Sequence, residues 1–212
     1  MTQAPNSPES LTAERPLNAP KQNPQTGRID VICGCMFAGK TARLIERLQQ
    51  ARAAGRRVIA FKHAIDDRYA KSELATHDDR RFPAIPVPDA RALAAQAGTA
   101  DVIGIDEAHF FKPDLADVCE QLRRRGVCVI ASAIDFGAWG HSFPTMDRLK
   151  ETANDVEVLR IPCTVCGAPA RFSQRMTPIV ADQIVGGPGD YEPRCERCFE
   201  PLPDTTPEPE IR

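Results

Sequence analysis

Gly34-Cys35-Met36-Phe37-Ala38-Gly39-Lys40-Thr41 is the stretch on which the fold turns. It satisfies G-x-x-x-x-G-K-[ST] in full. In that pattern the glycines let backbone N–H groups face a triphosphate, the lysine reaches the β- and γ-phosphates, and the threonine hydroxyl can ligate Mg²⁺. The pattern works between a strand and a helix, and both flanks comply. Ile29 to Cys33 is a short β-rich run, and Thr41 to Ala54 places Leu44, Ile45 and Leu48 at helical spacing before Gly55. All eight residues from Gly34 to Thr41 are candidate nucleotide-binding positions. A glycine-rich turn with no ligand is the bland alternative, and the flanking elements weigh against it.

Downstream, strand and helix alternate. Val58 to Lys62 and Ala84 to Val87 read as strands, and Asp89 can cap a helix from Ala90 to Gln96 that ends near Gly98. Val102 to Ile105 is a further strand. Pro113 opens a helix through Arg125, with Leu115, Val118, Cys119 and Leu122 on one face and Gly126 as its stop, and the strand Val127 to Ala131 follows. Strands joined by helical crossovers build a parallel sheet. The expected architecture is α/β, a P-loop NTPase-like (RecA-like) parallel sheet flanked by helices.

The run Asp101-Val-Ile-Gly-Ile-Asp106-Glu107 ends an apolar strand in two acids. Such a strand carries both carboxylates to the sheet edge where the phosphate loop lies, on a strand expected to neighbour that of the loop. There Asp106, with Thr41, can hold Mg²⁺, and Glu107 can take a proton from an attacking hydroxyl. Capping of the next helix is the alternative use for one of the acids. Asp106-Glu107-Ala108-His109 also spells the DEAH box of nucleic-acid helicases. Those enzymes need two RecA-like domains around the ATP, and a folded body of about 170 residues cannot supply them.

Composition bounds the remaining classes. The chain is 42% hydrophobic over 212 residues, enough to bury a core, yet it contains no apolar run long enough for a membrane span. A net charge of −2 without a basic block argues against duplex binding. Residues 1–27 and 201–212 are proline-rich and polar and read as disordered tails, leaving a nucleotide-binding domain over 28–160 and a smaller unit over 161–200.

Of eight cysteines, Cys163, Cys166, Cys195 and Cys198 form two C-x-x-C pairs. Four thiolates in two knuckles match a closed, structural tetrahedral Zn²⁺ site. Without a secretory signal, reduced thiols and a cytoplasmic location are expected. Cys33, Cys119 and Cys128 read as core residues. The glycine-rich insert between the pairs, Val185-Gly-Gly-Pro-Gly189 included, suits a substrate-covering loop tethered at both ends.

Together these parts resemble the thymidine kinases of the zinc-containing, P-loop type. The resemblance runs from Ile29 to Phe199, in the family's motif order: G-C-M-F-A-G-K-T, K-H-A-I-D-D-R-Y at 62–69, T-H-D at 76–78, D-E-A-H-F-F at 106–111, the cysteine pairs, and V-G-G-P-G-D-Y-E-P-R-C at 185–195. It implies transfer of the γ-phosphoryl of ATP to the 5′-hydroxyl of thymidine or deoxyuridine, in a homotetramer inhibited by dTTP. It also implies Glu107 as general base and Asp106 as the magnesium-associated acid, with Ala108 and His109 beside the nucleotide. Met36, Phe110, Ser173, the backbone of Val185, Gly186 and Gly187, and Tyr191 match positions that enclose the nucleoside. An apolar slot with backbone hydrogen bonds suits flat, neutral thymine. Arg68 is the candidate cation near the transferring phosphoryl. A solvated surface arginine is the alternative for it, as is a capping role for His77 and Asp78.

The chain departs from the family pattern at Cys35, Ala38 and His109, and most at Ile134 to Phe143. There Ala138 and Trp139 replace the usual phenylalanine and its basic or polar neighbour, in a segment that the resemblance places beside the nucleoside. His141 reads as a loop residue. Two other functional classes fit some of these features: a zinc-ribbon P-loop ATPase acting on nucleic acid, and a non-catalytic nucleotide-binding homologue.

Overall fold

In the computed structural model the described residues are 27–66, 72–76, 79–178 and 189–203. Six strands form one all-parallel sheet: β1 (Arg28–Cys33), β2 (Val58–His63), β5 (Ile85–Val87), β6 (Val102–Asp106), β7 (Cys128–Ala133) and β8 (Asp155–Val158), in the order β5-β2-β6-β7-β1-β8. Strand periodicity sorts their side chains between two cores. Ile29, Val31 and Cys33, Ile103 and Ile105, and Val129 and Ala131 meet the helices α2 (Ala90–Gln96), α3 (Asp114–Arg124) and α4 (Pro144–Thr152). Ile32, Ala60, Val102 and Ile130 meet α1 (Lys40–Ala53) and the hairpin of β3 (Glu73–Ala75) and β4 (Arg81–Pro83).

The local signals behave as their chemistry demands. Asp89 caps α2 by accepting the Ala92 N–H at 2.7 Å. Leu115, Cys119 and Leu122 of α3 are buried and Val118 is partly so. Desolvation pushes the thiols of Cys33 and Cys119 up to about 12, as core residues require. Cys128 is only partly buried, because β7 begins there at the rim of the sheet. The acid-bearing strand β6 does not neighbour β1, contrary to expectation: β7 lies between them.

After β8 the chain enters a small lobe containing the cysteine pairs and an antiparallel hairpin, β9 (Phe172–Arg175) with β10 (Tyr191–Arg194). The insert between the pairs is thus partly sheet. No helix among the described residues is long and apolar enough to cross a membrane.

Candidate active site

The phosphate loop turns on left-handed residues, Gly34 (φ 145°), Phe37 (φ 66°) and Gly39 (φ 83°). A Cβ at Gly34 would lie 2.4 Å from the Leu159 carbonyl oxygen, so no other residue fits there. Gly39 occupies the N-cap of α1 without a side-chain cap, leaving the first N–H groups of a 14-residue helix to an external anion. Lys40 is buried, and its Nζ donates to the Cys35 carbonyl at 2.8 Å, which holds the charge over the loop. Burial lowers its pKa, and the negative charge of Glu107 works against that.

The next shell follows from strand phase. Asp106 belongs to the same face of the sheet as Val102, toward α1, and Thr41 Oγ1 donates to its Oδ2 at 3.0 Å. Ser132, fully buried at the end of the intervening strand β7, donates to Asp106 Oδ1. Sequence reasoning missed Ser132, whose only local sign is a small polar residue ending an apolar strand. Desolvation and the neighbouring Glu107 raise the Asp106 carboxyl to about 6. A buried carboxylate so disfavoured, with a hydroxyl at hydrogen-bond distance, is a hard-oxygen donor set that suits Mg²⁺.

Glu107 leaves the strand in a left-handed conformation (φ 51°), a cost that non-glycine residues usually meet at functional sites. The twist takes its side chain off the strand's alternation. Its Oε2 lies 3.5 Å from Nδ1 of buried His109, which packs on Phe110 and Phe143. Ala108, His109 and Phe110 form a buried 3₁₀ turn. On the same edge, Lys62 sits in register with Asp106 and pairs with buried Asp66 at 3.3 Å.

In the lobe, the Sγ atoms of Cys163, Cys166, Cys195 and Cys198 all lie within 4.8 Å of one another, with Cys166 and Cys195 3.5 Å apart. Tetrahedral Zn²⁺ with Zn–S of about 2.3 Å requires sulfurs about 3.8 Å apart. The donor set therefore fits. Desolvation opposes ionisation of Cys163, but hydrogen bonds from the backbone of Cys195, Cys166 and Val165 prevail and bring its thiol down to about 6.

A thymidine kinase family profile matches residues 27–199, which takes in the phosphate loop, both acids and all four of these cysteines. The chain belongs to the thymidine kinase family. It is 43% identical over 175 residues to a thymidine kinase of Rhodothermus sp. (strain ITI 518), covering 82% of each chain. Over 173 residues it is 39% identical to one of Bacteroides thetaiotaomicron, covering 82% of this chain and 87% of that relative. Against one of Deinococcus radiodurans it is 42% identical over 161 residues, covering 71% and 76% respectively.

For this family member, the remaining expected positions divide. Met36 is half-buried, and its N–H donates to Ser173 Oγ at 2.9 Å, joining the loop to β9. Phe110 is buried at the sheet edge. Tyr191 pairs across the hairpin with Arg175, whose guanidinium lies 4.8 Å from the tyrosine ring centre. Arg175 was not anticipated. It donates to the carbonyls of Thr177 and Pro178, while Thr177 Oγ1 donates to Asp190, so the base of the insert is clasped. Arg68, His77, Asp78, Val185, Gly186 and Gly187 lie outside the described residues. The divergent segment meets the lobe where Phe136 packs on Phe172; the Ala138 carbonyl accepts the N–H of Leu202, just past the lobe, and buried Asp135 pairs with Lys150 of α4. His141 is an exposed loop residue.

Proposed function

We propose that this chain is an ATP-dependent thymidine kinase, transferring the γ-phosphoryl of ATP to the 5′-hydroxyl of thymidine or deoxyuridine to give dTMP or dUMP. The observation that carries the reading is the placement of Glu107 beside an Asp106–Thr41 pair at the mouth of a complete phosphate loop. Residues 34–41 cradle the triphosphate, with Lys40 on its β- and γ-oxygens. Asp106 and Thr41 hold Mg²⁺, which when bound neutralises charge on the phosphates. Glu107 accepts the proton of the 5′-hydroxyl as it attacks phosphorus. Arg68 stabilises the charge on the transferring group.

The nucleoside lies between the sheet edge and the lobe, against Met36, Phe110, Ser173, Tyr191 and the backbone of Val185, Gly186 and Gly187. Zn²⁺ on the four cysteines is structural, because a closed Cys₄ set leaves no position for substrate. The working organisation is a nucleotide-binding domain over 28–160 and a lid over 161–200, between tails at 1–27 and 201–212. A cytoplasmic homotetramer with dTTP as feedback inhibitor completes the proposal.

Conversion of thymidine to dTMP by the purified protein with Mg-ATP tests it. Turnover of no deoxyribonucleoside would reject the kinase reading in favour of a non-catalytic nucleotide binder. ATP hydrolysis stimulated by polynucleotide would favour the nucleic-acid ATPase instead.

A further inference from the structure

We infer that the four-cysteine metal site shapes the phosphate loop through Cys35 and Ser173, so that metal and nucleotide tighten each other's binding. The inference rests on the reading of residues 34–41 as the triphosphate site.

Three contacts converge on the first half of the loop. Cys35 is 1% exposed and shares one buried cluster with Cys163, Ala170 and Cys195, with Ala38, Ile161, Ala168 and Cys198 packed around it. A phosphate-loop side chain therefore belongs to the core of the metal lobe. The Met36 N–H is held by Ser173 Oγ. Ser173 pairs across the hairpin with Pro193, and the Pro193 carbonyl accepts the N–H of Thr164, inside the first C-x-x-C knuckle. Finally, the Leu159 N–H donates to the Cys33 carbonyl at 2.8 Å and the Leu159 carbonyl abuts Gly34, just ahead of the first knuckle. The end of the loop is secured differently, by α1, where the Arg43 N–H reaches the Gly39 carbonyl at 2.9 Å.

Beyond the ring contacts of Phe172 with Phe136 and Phe199 and the hydrogen bonds of Arg175 and Arg194, the lobe has little to hold it. Its described strands are four residues each, and its buried cluster consists of small residues and cysteines. A core that small does not order itself, so a bound metal supplies the order. With the metal removed, Cys35 loses its wall and Met36 loses a fixed acceptor, and the N–H groups that must converge on phosphate are no longer preset. Coupling between two binding equilibria is reciprocal, so nucleotide must strengthen metal binding by the same factor.

The test uses the full chain loaded with zinc, a chromophoric zinc chelator, and a non-hydrolysable ATP analogue with Mg²⁺. Zinc affinity is expected to rise on the order of tenfold with saturating analogue. In Cys35→Ala and Ser173→Ala, each shown to retain stoichiometric zinc and a cooperative melt, the factor is expected to fall toward one. Their KM for ATP should rise more than kcat falls, and Ser173→Thr, which keeps the hydroxyl, should restore the coupling. Equal zinc affinity with and without an analogue that demonstrably binds overturns the inference, as does coupling that survives in both alanine variants. Failure of the zinc-loaded wild type to bind the analogue at all would instead overturn the triphosphate reading.

Discussion

The two sides of the site are built in opposite ways. The proposed donor side is one continuous loop plus strand ends: Asp106, Ser132 and the loop's end at Gly39 to Thr41 are set by the sheet and α1, and the left-handed backbone of Gly34, Phe37 and Gly39 leaves the loop few alternatives. The proposed acceptor side is assembled from parts far apart in sequence, Met36, Phe110, Ser173 and Tyr191, the last two on a hairpin clasped through Arg175. A rigid sheet edge presets charge stabilisation for the phosphates, while a lobe with a small core leaves the nucleoside side adjustable. Away from the Met36–Ser173 link, variants on either side should therefore separate in which substrate they affect.

Glu107, the proposed base between the two sides, should show the largest effect. Glu107→Gln keeps the shape and removes the base, so kcat is expected to fall by about 10²- to 10⁴-fold. Binding of Mg-ATP and thymidine, measured by titration calorimetry, should stay within a small factor of wild type. Loss of nucleotide binding in the variant would show that Glu107 supports the loop instead.

Gly34→Ala should break the donor side alone. The added methyl meets the Leu159 carbonyl oxygen at 2.4 Å from a φ of 145° that alanine rarely adopts. Overpacking of this kind costs about 1–3 kcal/mol before the backbone strain is added. The expected outcome is a weakening of ATP binding by roughly tenfold or more, with thymidine binding less affected. Arg175→Ala should do the converse. It removes two charge-assisted hydrogen bonds and the guanidinium contact with Tyr191. These are worth about 1.5–3 and 0.5–1 kcal/mol respectively, discounted for the water that replaces them. The KM for thymidine is expected to rise several-fold more than the KM for ATP in steady-state assays.

The same contrast explains what could be read before the structure. The phosphate loop, the strand ending in Asp106 and Glu107, and the cysteine pairs are local patterns, because a backbone cradle or a two-ligand knuckle needs a fixed short spacing. Sheet order is not local, and nothing in Val127 to Ala133 announces that β7 slides between β1 and β6 to bring Ser132 onto Asp106. Helix α4 has a weak sequence signal because Pro-Thr-Met-Asp-Arg-Leu-Lys-Glu-Thr offers only Met146 and Leu149 as apolar markers over two turns. β9 and β10, Phe-Ser-Gln-Arg and Tyr-Glu-Pro-Arg, carry almost no alternation, since clustered cysteines and arginine contacts take the place of an apolar face in that lobe. Arg175, buried by its partners, looks in sequence like any surface arginine.

The smallest effect concerns the junction between the two sides, where His63 ends β2 against the aromatic pair that follows Glu107. Its ring meets Phe111 edge-on at 4.8 Å and Phe110 at 6.2 Å, and its Nδ1 accepts the Ile65 N–H. Desolvation depresses its pKa, while a hydrogen bond with the Pro88 backbone and the charges of Asp89 and Asp66 work in the opposite direction. Folding therefore favours the neutral imidazole, and the unfolded chain binds the extra proton first as pH falls. Stability should be intact above about pH 6.5 and decline as the pH drops from there through the lower folded value. A melt series between pH 7.5 and about 5 is expected to show this decline, and His63→Asn should flatten part of it while lowering stability at neutral pH. Because the histidine touches Phe110 on the acceptor side but no group of the phosphate loop in the described contacts, thymidine binding should weaken with acid before ATP binding does. Parallel loss of both would place the junction's strain on the sheet edge as a whole and blur the division between the two sides.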